Sequence, residues 1–180
     1  MNLSDEDIVK KVIDGDLQLY EQIVIRYQDK LSRYIKRLTN RSQEVDDLVQ
    51  EVFIKVFKNL RRFNPKLKFS SWIYRIAHNE SVNLIKSGWI QKITSLEQLF
   101  FLGEKSDIEE KLDQRQLEQK MKKCLKQLPI KYKEVLVLYY YEDKSYQEIS
   151  DILRINNQTV GVLLHRGKIK LKKLCQNKTN

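Results

Sequence analysis

The chain has 180 residues, 41% hydrophobic and 32% charged, with five glycines, two prolines and a net charge of +10. Such a composition excludes a disordered or collagen-like chain and leaves room for one or two domains. The positive balance predicts an anionic partner, nucleic acid first and an acidic membrane surface second.

Charge is unevenly spread along the chain. Residues 1–86 hold 16 basic and 12 acidic groups, residues 87–118 hold 4 and 7, and residues 119–180 hold 14 and 5. A strongly basic C-terminal unit is thus set apart from a mixed-charge N-terminal unit by an acidic middle. The N-terminus, MNLSDEDIVKK, is acidic and does not read as a signal peptide. No apolar run reaches the roughly 18–20 residues of a membrane span, so a cytoplasmic protein without membrane insertion is expected.

The elements predicted in chain order are all helices. Ser4 opens a short one through Ile13, with acids at its start where the helix dipole favours them. A longer helix follows Gly15, from about Asp16 to Leu38, with Ile23, Tyr27, Leu31, Tyr34, Ile35 and Leu38 at helical spacing. After a turn at Asn40 and Ser42, a third spans roughly Gln43 to Arg62 on a stripe of Val45, Leu48, Val49, Val52, Phe53, Val56 and Leu60. The loop FNPKLKF, broken by Pro65, leads to a helix with Ser70 as its expected cap, ending near Lys86. These four helices make one domain, 1–87, and residues 88–106 read as a linker with one amphipathic turn at Leu96–Leu102.

The second domain, 107–180, opens on a capping box of Ser106 and Glu109. Its first helix runs to Pro129, which stops it and suits the first turn of the next, KYKEVLVLYYY. In SYQEISDIL, Ser145 and Glu148 form another capping box. A break at Arg154-Ile155-Asn156 then leads to a helix from Asn157 to about Leu174. Two short helices with a tight turn, the second ending basic, fit a helix-turn-helix.

Chemistry-bearing clusters are few. Cys124 and Cys175 lack metal-ligand spacing, and His78 and His165 are far apart. Reduced thiols are therefore expected, with no metal, no cofactor and no catalytic residue. Arg75, Asn79, Asn83 and Lys86 share one arc of the fourth helix with Trp72, a mixture suited to single-stranded DNA. Basic groups track phosphates there, and flat side chains replace lost base stacking. Lys66 and Lys68, between Phe63 and Phe69, extend that surface; the alternative is that these aromatics are core and the polar stripe a solvated face.

Two segments carry a family resemblance. DDLVQEVFIKVFKNLRRFNPKLKFSSWIYRIAHN, from Asp46, resembles the second conserved region of bacterial sigma factors. LPIKYKEVLVLYYYEDKSYQEISDILRINNQTV, with LHRGK after it, resembles their fourth region. Both regions in order, in so short a chain, make it similar to the extracytoplasmic-function sigma factors. The resemblance implies an all-α fold of two small helical domains, a region 2 bundle and a region 4 helix-turn-helix domain, on a linker. It implies a factor that joins core RNA polymerase through the beta-prime coiled coil and the beta flap and directs it to promoter DNA, double- and single-stranded. An anti-sigma factor or an auxiliary DNA-targeting factor is a further expected partner. The alternative is a free-standing helix-turn-helix regulator, which leaves Asp46–Lys86 idle.

Carried over by position, core-polymerase binding falls to Asp46, Asp47, Leu48, Gln50, Glu51 and Phe53. Promoter melting and the proximal element fall to Phe63, Asn64, Lys66, Lys68, Phe69, Trp72, Arg75, Asn79, Asn83 and Lys86. The helix-turn-helix contacts fall to Asn157, Gln158, Thr159, His165, Arg166, Lys168 and Lys172. The sequence departs from the family at Asn83, where Asp is usual, and at Arg154, where the turn usually has Gly. Gly161, Val162 and Leu163 stand where polar, hydroxyl and Arg side chains are usual. Two readings follow: weakened distal-element recognition, or a variant in which Asn157, Gln158 and Thr159 read the bases.

Overall fold

The computed structural model describes residues 3–41, 43–94 and 112–176, with side chains left aside at 88–94 and 112–118. Among the described residues there are eight α-helices and no strand. The amphipathic turn expected at Leu96–Leu102 and the capping box at Ser106 lie outside the described residues.

Helix α1 (Asp5–Ile13) is capped by Ser4, whose Oγ accepts from the Asp7 backbone N–H at 3.1 Å. Its acids also do tertiary work that the dipole argument did not foresee. Asp5 pairs with Arg26 at 2.6 Å and accepts from the Tyr27 hydroxyl. A 3-10 turn at Leu17–Leu19 leads into α2 (Tyr20–Thr39), which ends on Asn40 in the left-handed region. Helix α3 (Val45–Asn59) passes through a second 3-10 turn, Leu60–Arg62, into the loop before α4 (Phe69–Thr94).

Ser70 is not the cap of α4, because the helix already begins at Phe69. The Phe69 backbone N–H instead donates to the Glu6 carboxylate at 2.8 Å, so α1 caps α4 across the bundle. Helix α4 also continues to Thr94 rather than stopping near Lys86. Ile8, Ile23, Leu31, Ile35, Leu38, Val52, Val56, Ile73 and Ala77 are fully buried among α1–α4.

The second group comprises α5 (Leu112–Gln127), α6 (Ile130–Tyr140), α7 (Tyr146–Leu153) and α8 (Asn157–Gln176). Leu128, Leu138, Ile149, Ile152, Val160 and Leu164 form its core. The Ser145–Glu148 capping box of α7 is present in both directions. Cys124 and Cys175, expected as separate thiols, are brought together as a disulfide between α5 and α8. Their separation of 51 residues hid a proximity that only the packing of these two helices creates.

The two groups pack directly, α4 on α7 and α2 on α6. Tyr74 donates to Glu142 at 2.6 Å, Arg37 lies 3.5 Å from the same carboxylate, and His78 is 3.0 Å from Glu134. Burial pushes the Glu142 carboxyl up, against the opposing effects of Tyr74, Arg37, Arg33 and Lys144. Lys133, only 4% exposed, reaches the Leu38 carbonyl oxygen at 3.5 Å. Burial followed by neighbouring Lys126 lowers its ammonium to about 8.

Candidate nucleic-acid interface

The loop before α4 and the first turns of that helix are built around three rings. Phe63, Phe69 and Trp72 lie with centroids 5.4 to 5.7 Å apart. Phe69 is fully buried and Phe63 is 8% exposed, so the core alternative holds for both. Trp72 is half-buried and is the ring of the three with surface left for a base. Asn64 shapes the loop by accepting from the Lys66 backbone N–H at 3.0 Å, which leaves Lys66 and Lys68 exposed.

The polar arc of α4 divides in two. Asn79, Asn83 and Lys86 are exposed. Arg75 is half-buried, and its Nε donates to the Asp151 carbonyl oxygen of α7 at 2.9 Å. Burial, then the nearby Arg154, hold its guanidinium below the usual value. Lys68 meets Glu148 of α7 at 3.2 Å. The Glu148 carboxyl is held low although burial works to raise it, because the Ser145 backbone and hydroxyl groups and Lys68 favour its ionised form. The N-terminal half of the arc is therefore occupied by the second helical group, while the C-terminal half stands open.

Helices α7 and α8 meet through a turn in which Arg154 has φ 55° and ψ 45°, the left-handed conformation a glycine takes without strain. Asn156 starts α8 by accepting from the Thr159 backbone N–H at 2.7 Å. Asn157 donates to Gln147 at 2.8 Å, and Gln147 to Asp151 at 3.1 Å, so the polar tip is tied to α7. Asn157 and Gln158 are exposed and Thr159 half-buried.

Further along α8, Val160, Leu164 and Gly167 are buried and Leu163 and Leu171 partly so, which accounts for most of the apolar run. His165, Arg166, Lys168 and Lys172 point outward. Val162 is 47% exposed. A Cβ at Gly161 would stand 3.5 Å from the Tyr146 ring, an ordinary contact, so the site has room for a side chain.

Helix α3 presents Asp46, Asp47, Gln50 and Glu51 to solvent. Leu48 and Phe53, at 7% and 8% exposure, turn into the bundle and are core groups. The same outer face carries two groups the sequence reading missed, Ile54 at 53% and Phe57 at 43% exposure. Their one signal was position: each follows the acids at helical spacing, off the apolar stripe. Glu51 and Glu80 share Lys55, at 2.7 and 2.5 Å.

Two family models match this chain, Sigma-70 region 2 over residues 23–90 and Sigma-70, region 4 over residues 118–171. The ECF RNA polymerase sigma factor SigW of Bacillus subtilis is 31% identical over 176 residues, spanning 92% of this chain and 93% of its own. The ECF RNA polymerase sigma-E factor of Escherichia coli (strain K12) is 30% identical over 175 residues, spanning 92% and 91%. The fold is similar to that of CnrH, solved in complex with the cytosolic domain of CnrY, at TM-score 0.72 and 19% identity over 97% of this chain and 99% of that one. It is also similar to the sigma factor RpoE in complex with the anti-sigma factor NepR from Bartonella quintana, at TM-score 0.71 and 19% identity over 87% and 96%.

Proposed function

The chain belongs to the extracytoplasmic-function sigma factors, which bind core RNA polymerase and direct promoter recognition and transcription initiation, and we propose how its surfaces divide that work. Helices α1–α4 and α5–α8 act as two units, in the cytoplasm and without chemistry of their own. The polymerase forms the phosphodiester bonds.

Core enzyme docks on the outer face of α3. Asp46, Asp47, Gln50 and Glu51 supply charge for the beta-prime coiled coil, and Ile54 and Phe57 supply apolar contact. The second unit takes the beta flap. Lys66, Lys68, Trp72, Arg75, Asn79, Asn83 and Lys86 hold the unpaired strand of the proximal element, with Phe63 and Phe69 shaping the platform beneath Trp72. Arg166, Lys168 and Lys172 grip phosphates of the distal duplex, beside His165, while Asn157, Gln158 and Thr159 reach towards bases. With Gly161, Val162 and Leu163 giving no polar reach, distal reading is weak, and the proximal element or an auxiliary DNA-bound factor carries specificity. The α4–α7 contact must part before Arg75 and Lys68 meet DNA, and an anti-sigma partner is one means of keeping it shut.

One combination carries this reading: a single bundle, with α3 packed on α4, bears both the exposed acids of α3 and the basic and aromatic start of α4. A free-standing regulator has no use for that pairing. The test is transcription by purified core enzyme plus this chain on a promoter library, with start sites mapped. The expected outcome is accurate initiation at promoters sharing a proximal motif and a loose distal one. DNA binding without any initiation returns the free-standing regulator. A sharp distal motif that vanishes with Gln158→Ala or Thr159→Ala overturns weak distal reading.

A further inference from the structure

We propose that Cys124 and Cys175 form a reversible oxidation site whose disulfide clamps α8 to α5. Their Cα atoms are 5.5 Å apart, inside the span a disulfide bridges without moving the backbone. The two positions differ in access. Cys124 is fully buried, whereas Cys175 is half-buried one residue from the end of α8.

Cys175 also borders a hollow of about 720 Å³ with a floor of Met121, Leu125, Leu136 and Leu171 and with Lys168 and Lys172 on its walls. That combination of an apolar floor and ammonium groups admits a small, negatively charged oxidant, and a low-molecular-weight disulfide bearing carboxylates has this chemistry. The Cys175 thiolate attacks one sulfur of that disulfide and expels the first thiolate, leaving a mixed disulfide on Cys175. The Cys124 thiolate then attacks the Cys175 Sγ and expels the second. The small disulfide gains two electrons and, with the two protons released by the cysteines, leaves as two thiols; the protein dithiol becomes a disulfide. Excess small thiol reverses both steps.

The closed loop contains α6, α7 and nearly all of α8. Oxidation therefore removes freedom from the unfolded form of most of the second unit and pins the last turns of α8. In the dithiol form those turns keep half-buried Leu171 and Leu174 but lose the covalent tie to α5, so they open more readily.

The test uses the full chain equilibrated across ratios of reduced to oxidised glutathione. It is read by intact mass, by thermal unfolding and by hydrogen exchange. Glutathione disulfide is expected to give a monomer lighter by two hydrogen atoms, and excess reduced glutathione to restore it. Oxidation is expected to raise the unfolding temperature of the second unit by on the order of 10 °C and to slow exchange in the last two turns of α8. Cys124→Ala traps a single glutathione adduct on Cys175. Cys175→Ser, at a partly exposed helix end, keeps the fold and leaves buried Cys124 unmodified. A chain that stays dithiol in glutathione disulfide, or one that links into dimers, overturns the proposal. So does a bond that resists every reduced ratio, or one that forms without moving unfolding or exchange.

Discussion

The two helices proposed to meet DNA, α4 and α8, are built in opposite ways. Helix α4 has side chains able to hold an unpaired strand, yet its Arg75, and Lys68 just before the helix, are bound to α7. Helix α8 leaves Arg166, Lys168 and Lys172 exposed, with Lys168 over the Tyr140 ring, yet its Gly161 and Val162 reach nothing polar. The helix with reading chemistry is covered over the N-terminal half of its polar arc, and the helix with exposed cations has mainly phosphate chemistry. On the proposed division of labour, sequence selectivity depends on separating the two units, while general DNA attraction does not.

The sharpest way to break this comparison is to remove docking first. Asp47→Lys with Glu51→Lys places like charge against a basic partner, which costs several kcal/mol in an interface. Core-polymerase affinity should fall by about 100-fold or more in a binding titration, while duplex DNA affinity stays the same. Unchanged polymerase affinity would move the docking surface away from α3.

A second experiment compares the two helices directly. Arg75→Ala should lower open-complex formation by roughly 10- to 100-fold, the worth of a good base or stacking contact. Arg166→Ala should instead weaken binding to all sequences alike and reduce the salt slope by about 0.9. If both variants behave identically in permanganate footprinting and salt titration, the division of labour is wrong.

Lys133 tests whether the units must part. Its ammonium is lowered to about 8 from an ordinary 10.5, and at 1.36 kcal/mol per unit its burial costs roughly 3 kcal/mol. Below about pH 8 that cost is fully present. Between about pH 8 and 10.5 the packed form sheds its proton before the unfolded form does, so stability rises with pH. Lys144, also lowered chiefly by burial, acts in the same direction. Lys133→Met should raise stability at pH 7 by on the order of 1–3 kcal/mol and flatten much of that alkaline rise. The same variant should initiate transcription more slowly, because the packed form has gained. Thermal melts across pH, set beside initiation rates, check both halves.

Much of this was legible in sequence. Periodicity located α2 and α3, and Ser145 with Glu148 marked the start of α7 because capping is a local interaction. What failed was nonlocal. Glu6, rather than Ser70, caps α4 because α1 lies across its start. The disulfide and the α4–α7 contact depend on helices far apart in the chain, and spacing rules carry no record of them. Leu48 and Phe53 were transferred from a family motif, and the motif did not distinguish residues that touch a partner from those that hold the helix in place.

The smallest expected effect concerns the turn between α7 and α8. Arg154 is in the left-handed region, which costs a residue bearing a Cβ about 1 kcal/mol, and it stands near Arg75 with like charge. Arg154→Gly removes both penalties, while the freer unfolded chain takes back about half. Net stabilisation of about 0.5–1 kcal/mol should follow, seen as a rise of a few degrees in the unfolding temperature. If the gain comes from strain alone, Arg154→Ala, which keeps the Cβ, should show none of it. If repulsion of Arg75 dominates, Arg154→Ala should recover most of the gain, and the turn itself would be well tolerated. Equal melting of all three chains would mean that Arg154 is compensated by a contact within the second unit. The helix-turn-helix would then owe nothing to its departure from glycine.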